Sequence, residues 1–401
     1  MNKVYIVAAK RTALGSHLGS LKGISASDMG AVVIKALLDQ TKIDPANIDE
    51  VMMGNILPAG QGQGIARQCS IKAGIPVSVP AYGVNMVCGS GMKSVMNAYL
   101  EIKAGFSEVV IAGGTENMSS APYLLPKEVR TGIKMGDITM RDHMLTDALW
   151  DAFDGQHMGV SAENIATKYN ITRLQQDAFA YASQLKAIKA VDGNVFADEI
   201  VPMEVKAGKE TILFDKDEYP NRKTDLDKLS NLRPAFKKDG TVTAGTSSGI
   251  NDGASAVMVV SEEALHKYQL KPLVEIIGIG QGGVEPSLMG LGPTPAIHNA
   301  LKMAKLKLQE IDVLELNEAF AAQSLGVMHE LVQEHHISKE ELMAKTNPNG
   351  GAIALGHPVG ASGNRILVTL VHEMLKMDVT YGLASLCIGG GMGTAVIVKK
   401  V

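Results

Sequence analysis

The sequence predicts an α/β fold built from two similar halves with a long segment inserted between them. Three observations carry this reading. Apolar strand-like runs alternate with helical periodicity near both ends of the chain. The order strand, glycine-capped helix, strand occurs twice. Glycine supplies 42 of the 401 residues, above the roughly 7% that is usual, and much of it falls in clusters that suit tight turns and close backbone approach.

Taken in order, residues 4–8 read as a buried strand. Residues 24–40 have helical periodicity, with Ser27 as the expected N-cap. Residues 49–54 read as a second strand. A short approach over 84–88 leads to Gly89-Ser90-Gly91, which opens a helix running to about Lys103. Residues 109–112 read as a strand ending at Gly113-Gly114. The pattern then changes. Residues 119–248 are more polar and irregular, with helices expected at 161–169 and 175–191, and α/β patterning resumes at 254–260. This middle stretch reads as an insertion over the sheet domains, either a lid or ligand platform or a purely structural subdomain.

The repeat is specific in its placement. Residues 48–55 resemble 311–318 at an offset of 263, whereas Gly89-Ser90-Gly91 and 109–112 resemble Ala361-Ser362-Gly363 and 381–384 at an offset of 272. The longer offset places extra residues before Ser362, in the stretch holding Gly356-His357-Pro358. The expected division is a first α/β domain over 1–118 and 249–270, an inserted loop domain over 119–248, and a second α/β domain over 271–401.

Composition narrows the function. Hydrophobic residues at 46% and charged residues at 20% are ordinary for a globular chain. The net charge is -4 and no long basic block occurs, which speaks against a nucleic-acid partner. No apolar run is long enough to span a bilayer. The start of the chain shows no signal-peptide pattern and the end none of the known address tails. The three cysteines, Cys69, Cys88 and Cys387, cannot all pair internally and form no CxxC motif. The expectation is a cytoplasmic protein in a reducing compartment, without a membrane, nucleic-acid or metal partner.

The candidate chemistry lies at strand ends. Cys88 falls between an apolar approach and a helix start, where a helix N-terminus is expected to lower a thiol pKa. An inert buried cysteine fits the same residues. His357 sits in a run rich in glycine, proline and asparagine with little room for regular structure before Ala361. Such a loop can deliver an imidazole to a thiol, or simply hold a satisfied histidine. Cys387 ends a strand and precedes Ile388-Gly389-Gly390-Gly391-Met392-Gly393, whose amides can face an oxyanion. That turn matches neither a Walker loop nor a dinucleotide fingerprint. Asn317-Glu318 leaves the strand at 313–316. Asn317 suits orienting a water or carbonyl, capping a helix over 318–333, or both.

In combination these segments resemble the thiolases of the acetyl-CoA acetyltransferase type. The matching stretches are 85–94, 234–236, 244–256, 317–321, 350–363 and 387–393, in order, within a likeness that covers essentially the whole chain. The resemblance implies a thiolase-like fold, with two α/β/α layered domains of mixed sheet and an inserted loop domain that binds coenzyme A. It implies Cys88 as the acylated nucleophile, His357 as its activator, and Cys387 as the proton carrier of the carbon–carbon step. Asn317, through a water, and His357 would form one oxyanion hole; the amides of Cys88 and Gly389 would form the other. His157, Met158, Phe236, Ala244 and Ser248 match positions that contact coenzyme A or its pantetheine arm. Met289 and Phe320 match the acyl pocket. The run 283–295 looks suited to closing that pocket on a short chain. The implied reaction joins two acetyl-CoA into acetoacetyl-CoA, reversibly, with coenzyme A thioesters as substrates and no further cofactor, in a homodimer or homotetramer. Asn221 stands where such relatives often carry an arginine near the adenine nucleotide, and Arg222 beside it is the expected substitute. A thiolase for longer 3-oxoacyl chains would use the same residues. A decarboxylating synthase would replace Cys387 with histidine or asparagine. A non-catalytic carrier would leave Cys88 unreactive.

Overall fold

The computed structural model describes residues 3–401; residues 1 and 2 of the expected first domain lie outside the described residues. In the first half, Val109–Asn117 runs parallel to Glu50–Gly54, which is parallel to Ala81–Val84. Its other edge is antiparallel to Asn251–Ser261, which pairs antiparallel with Val4–Thr12. The second half repeats the scheme. Tyr381–Ile388 is parallel to Val313–Leu316 and antiparallel to Met392–Lys400, which pairs antiparallel with Val274–Gly283. The two mixed sheets join edge to edge where Tyr5 and Ile6 meet Glu275 and Val274. The repeat read from the sequence therefore falls on equivalent strands.

Strand parity explains the layering. Val109 and Ile111 point to a core shared with Ala26–Thr41 and Ile65–Lys72, while Val110 and Ala112 point to the opposite face. Successive strand side chains face opposite ways, so a strand buried on both faces reads as continuous apolar sequence. A second outer core involves Pro293–Ala304 and Ala321–His335. Between the two sheets lies the core that holds Ser90–Ala104 and Val359–Met377.

Those central helices meet through missing side chains. A Cβ on Gly91 would stand 2.9 Å from both the Asn364 nitrogen and the Gly360 oxygen, and one on Gly363 would stand 2.7 Å from the Met92 nitrogen. A Cβ on Gly114 would enter the Gly360 carbonyl oxygen. The N-terminal ends of both helices are thereby drawn to one place in the molecule.

Four local expectations are corrected. Ser25, in extended conformation, caps Ala26–Thr41 by accepting from the Asp28 amide at 3.1 Å, whereas Ser27 is already helical and buried. The strand expected to end at Gly113-Gly114 continues to Asn117, because both glycines keep their ladder partners in Asn251–Ser261. The loop around His357 contains the short helix Ala352–Leu355, and the long helix after it starts at Val359, before Ala361. The helix after Asn317 starts at Ala321 rather than 318.

Within 119–248 the expected helices appear as Met158–Lys168 and Arg173–Asp192, followed by the hairpin Met203–Ala207 with Glu210–Phe214. This stretch is pinned to the first strand. Ile200 and Val201 pair with Arg11 and Thr12. The buried Arg11 guanidinium donates to both Asp217 carboxylate oxygens, at 2.7 and 2.9 Å, and to Glu199. Paired carboxylates outweigh burial and hold the guanidinium protonated.

Substituting Gly114→Ala is expected to destabilise the fold by about 1–3 kcal/mol, since the added methyl overpacks against fixed backbone. Gly23→Ala, where a Cβ meets nothing within 4 Å, should stay within about 0.5 kcal/mol. Urea unfolding of the two variants, with equal losses, would contradict this account.

Candidate active site

Cys88 is delivered by a strained elbow. Val87, just before it, has a φ of 45°, a region that β-branched residues avoid. Side chains hold the turn: the Asn85 amide oxygen accepts from the Val87 amide at 3.1 Å, and Ser90 Oγ accepts from the Met86 amide at 2.8 Å while donating to the Val87 carbonyl at 2.7 Å. The helix Ser90–Ala104 leaves directly, with Gly89 at its N-cap. A Cβ on Gly89 would collide with the Ile388 side chain, so glycine is what lets the second half come up against the elbow.

His357 arrives from that second half. Its amide donates to Asn251 Oδ1 at 2.9 Å, and Gly356 before it has a φ of 109° with no room for a Cβ beside the Asn251 amide group. The ring Nδ1 lies 2.6 Å from Ser362 Oγ, and Ser362 donates its own proton to the Pro358 carbonyl at 2.9 Å. That network assigns the hydrogen to Nδ1 and leaves Nε2 as a free acceptor. Burial, and then the nearby Arg365 charge, push the imidazole down to about 4, so it is neutral and basic at pH 7.

Cys387 ends Tyr381–Ile388 and is buried. The following turn uses Gly390 and Gly391 at φ of 83° and 85°. The backbone amides of Gly389 and Cys88 both act to favour the Cys88 thiolate. The expectation that the helix terminus lowers the Cys88 pKa is overturned. Burial pushes the thiol up to about 11, and the two amides offset only part of that. Burial and the neighbouring Cys88 raise Cys387 further. At rest the site holds two thiols and a neutral imidazole.

These groups share a cleft of about 440 Å³. Cys88, His357, Cys387 and Gly389 line it together. His157, Met158, Phe236, Ala244, Ser248, Met289 and Phe320 line the same cleft, so eleven of the twelve residues picked from sequence come together there. His157 caps Met158–Lys168 by accepting from the Gly159 amide at 3.0 Å. Its ring stacks on Phe236 at 4.6 Å, and Phe236 stands edge-on to Phe320 at 5.9 Å. Met289 is buried in the wall, and the Ser248 amide donates to the Ala319 carbonyl at 2.9 Å.

Asn317 is the exception. It is not among the residues that line the cleft; it is 1% exposed, with neither side-chain polar atom bonded to protein. It does not cap the next helix; Phe320 occupies the N-cap, without a side-chain bond. Its neighbour Glu318 turns inward and accepts from Ser183 Oγ at 2.6 Å and Asn347 Nδ2 at 2.9 Å. An unpaired buried amide beside a catalytic cleft suits a bridging water.

Sequence reasoning missed Met118, Leu149 and Tyr219, which also line the cleft. They sit in the irregular stretch or at its borders and belong to no local pattern. Ala244 borders a second, more open cavity that also touches Asn221, Arg222 and Lys223. There Asn221 Oδ1 accepts from the Lys223 amide at 3.0 Å, and the Arg222 guanidinium is engaged with Asp192. Among the described residues no group of three or more His, Cys, Asp or Glu is placed to hold a metal ion, and no helix is long and apolar enough to cross a membrane.

Comparison with known proteins agrees with this geometry. The family description "Thiolase, N-terminal domain" matches residues 4–263 and "Thiolase, C-terminal domain" matches 270–400. The chain is 51% identical over 401 residues to an acetyl-CoA acetyltransferase of Pseudomonas aeruginosa and 50% identical over 401 residues to one of Escherichia coli, each covered over 100% of both chains. Among solved structures, an acetyl-CoA acetyltransferase from Syntrophomonas wolfei superposes with a TM-score of 0.96 at 42% identity, covering 100% of both chains. Human mitochondrial 3-ketoacyl-CoA thiolase superposes at 0.95 with 43% identity, covering 100% of this chain and 99% of that one. Such a fold and cleft define an acyltransferase. The chain belongs to the thiolase family, acetyl-CoA acetyltransferase type.

Because the resting pair is thiol and neutral imidazole, alkylation of Cys88 by iodoacetamide is expected to accelerate steadily from pH 6 to pH 10. A rate that has already levelled off at pH 7 would instead reveal a preformed thiolate–imidazolium pair.

Proposed function

We propose that this chain condenses two acetyl-CoA into acetoacetyl-CoA and coenzyme A, and cleaves acetoacetyl-CoA in reverse, through an acetyl-cysteine on Cys88. The observation that carries the reading is convergence: Cys88 from the first half and His357, Cys387 and Gly389 from the second open onto one cleft.

In the first step His357 Nε2 takes the Cys88 proton as the sulfur attacks the acetyl thioester carbonyl. The oxyanion is held by the amides of Cys88 and Gly389. The intermediate collapses, the C–S bond to coenzyme A breaks, and the departing thiolate takes the proton of Cys387. Cys387 is left as a thiolate that burial makes strongly basic. A second acetyl-CoA then binds, and Cys387 removes a proton from its methyl group. His357, now protonated, and a water on Asn317 hold the enolate oxygen. The carbanion attacks the acetyl group on Cys88, and the tetrahedral intermediate expels the Cys88 sulfur, which regains its proton from His357. Each oxyanion donor is worth roughly 3 kcal/mol, about a hundredfold in rate.

His157, Met158, Phe236, Ala244 and Ser248 are assigned to coenzyme A and its pantetheine arm, with the stacked rings as an apolar wall. Met289 and Phe320 are assigned to the acyl end. The division into 1–118 with 249–270, 119–248 and 271–401 follows, the middle part serving as the coenzyme A platform. Asn221 leaves the adenine end with one fewer cation, and Arg222 reaches it only by leaving Asp192. A homodimer or homotetramer is the expected assembly, checked by light scattering at micromolar concentration. A cytoplasmic location fits three free thiols.

The likeness to human 3-ketoacyl-CoA thiolase keeps a longer acyl range as the competing reading. Buried Met289 favours a short chain, and each methylene forced into a full pocket costs roughly 1–3 kcal/mol. Acetoacetyl-CoA should therefore be cleaved with a kcat/KM at least ~10-fold above that of the six-carbon 3-oxoacyl-CoA. A kcat/KM that rises with chain length would move the chain to the broad-range class.

The mechanism is tested by mass measurement and one substitution. Rapid quenching with acetyl-CoA should show one acetyl per chain, on Cys88. Cys387→Ser should keep acetyl exchange between acetyl-CoA and labelled coenzyme A within about tenfold, because other acids can protonate a leaving thiolate. It should lower acetoacetyl-CoA formation by about a thousandfold, because a serine hydroxyl is a far poorer base. Equal loss of both activities would show that Cys387 serves Cys88 directly.

A further inference from the structure

Glu116 lies near the end of the strand Val109–Asn117, is wholly buried, and takes no part in the steps above. Its carboxylate accepts four hydrogen bonds. Oε1 takes the Leu57 amide at 3.1 Å and Asn55 Nδ2 at 2.9 Å; Oε2 takes the Ile56 amide at 2.9 Å and the Gly360 amide at 3.0 Å. No cation pairs with it among the described residues. Asp252 and Cys88 are the titratable groups that face it from neighbouring segments.

The donors come from opposite halves of the fold. Asn55, Ile56 and Leu57 follow the first-half strand Glu50–Gly54. Gly360 lies three residues beyond His357, in the first turn of Val359–Met377. A Cβ on Gly360 would press into Glu116 Oε2, so this contact has no slack. Ile56, Leu57 and Val359 also belong to the small apolar cluster against which Cys88 packs. One carboxylate thus ties both segments that flank the thiol. Burial and the Asp252 charge push it up to about 7 against the pull of its donors. A buried acid without a cation is an expensive group, retained here where two loops must hold one geometry.

We propose that Glu116 is a positioning residue for the acyl transfer: its carboxylate staples the turn that carries His357 to the 55–57 loop and fixes where the imidazole meets Cys88. The proposal rests on reading Cys88 and His357 as the reacting pair.

A glutamine at 116 has the same shape, but its NH2 faces a backbone N–H that then lacks an acceptor. Misplacing a reacting group by about an ångström costs on the order of a hundredfold in rate. The test measures two rates on Glu116→Gln and on Asn55→Ala, which removes one donor and leaves the carboxylate. One is single-turnover acetylation of Cys88 by acetyl-CoA at pH 7, which needs His357 in place. The other is iodoacetamide alkylation of Cys88 at pH 10, where base assistance matters little. Expected is an acetylation rate down by about a hundredfold in Glu116→Gln and about tenfold in Asn55→Ala. Alkylation should stay within about threefold of the wild type. Acetylation within threefold of the wild type in a folded variant overturns the proposal, as does an equal fall in both rates, which marks a general loss of structure. Should Glu116→Gln not fold, Asn55→Ala decides by the same criteria. A wild type that does not acetylate Cys88 at all would instead overturn the underlying reading of the pair, and this proposal with it.

Discussion

The close contact of two helix N-termini across the middle of the molecule is the constraint on which the site depends. Ser90–Ala104 and Val359–Met377 belong to different halves, yet Gly91 and Gly363 let each backbone touch the other, and Gly114 admits the Gly360 carbonyl. Side chains here would hold the helices apart by an ångström or more, since interiors are packed without slack. Cys88 precedes the first helix and His357 the second. The spacing of Cys88 and His357 is therefore set by backbone-to-backbone contact, the stiffest spacer a fold offers. The same logic places the Gly389 turn, because Gly89 accepts Ile388 where a Cβ would refuse it.

Placing Cys88, His357 and Cys387 in this dense centre decides their charge. Burial raises both thiols and lowers the imidazole. A helix terminus supplies fixed partial charge, but desolvation of a thiolate in a closed site is the larger effect. The consequence is a trio of groups without net charge at neutral pH, so that under the proposed mechanism the proton moves only as the sulfur attacks. Under the proposed mechanism, that arrangement favours the carbon–carbon step. A carbon acid as weak as a thioester methyl needs a strong base, and a thiolate whose pKa burial has raised is a stronger base than a solvated one. A cysteine tuned to ionise at neutral pH would be a better resting nucleophile and a worse carbon base.

How much of this was legible in the sequence depends on the range of the signal. The strand order, the repeat, and Cys88, His357, Cys387 and the Gly389 turn are carried by local pattern: apolar runs, glycine clusters and cysteines at strand ends; His157, Met158, Phe236, Ala244, Ser248, Met289 and Phe320 came only from the family resemblance. The errors came where a distant partner, or a backbone conformation that residue type does not reveal, overrules local chemistry. Gly113-Gly114 reads as a turn, yet the ladder with Asn251–Ser261 keeps it extended. Asn317 reads as a cap, yet the helix starts beyond it and its amide faces buried space. Ser27 and Ser25 are equally good caps by type, and only backbone conformation separates them. Val87 gives no sequence sign of its φ of 45°; the Asn85 and Ser90 side chains that force it are visible only as bonds. Glu116 looks like an ordinary strand-end carboxylate until the Gly360 amide arrives from 244 residues away.

The stretch 119–248 follows a different physical logic from the halves it sits between. It contributes little to the main sheet beyond Ile200–Val201, so its position must come from side chains. The buried Arg11, shared between Asp217 and Glu199, supplies an anchor that only one docking geometry satisfies, because a guanidinium fork is directional and costly to leave unpaired. Thr369 on the second-half helix donates to the same Glu199 at 3.0 Å, so this stretch is referenced to both halves at once. Its other end brings His157 and Phe236 over the cleft, stacked on each other and edge-on to Phe320 of the second half. Aromatic contacts are broad and tolerant of small shifts, which suits a wall for a long flexible ligand. On the proposed reading, the glycine contacts fix the reacting groups and the ionic anchor fixes the inserted stretch, while the soft contacts fall where the ligand would enter and leave.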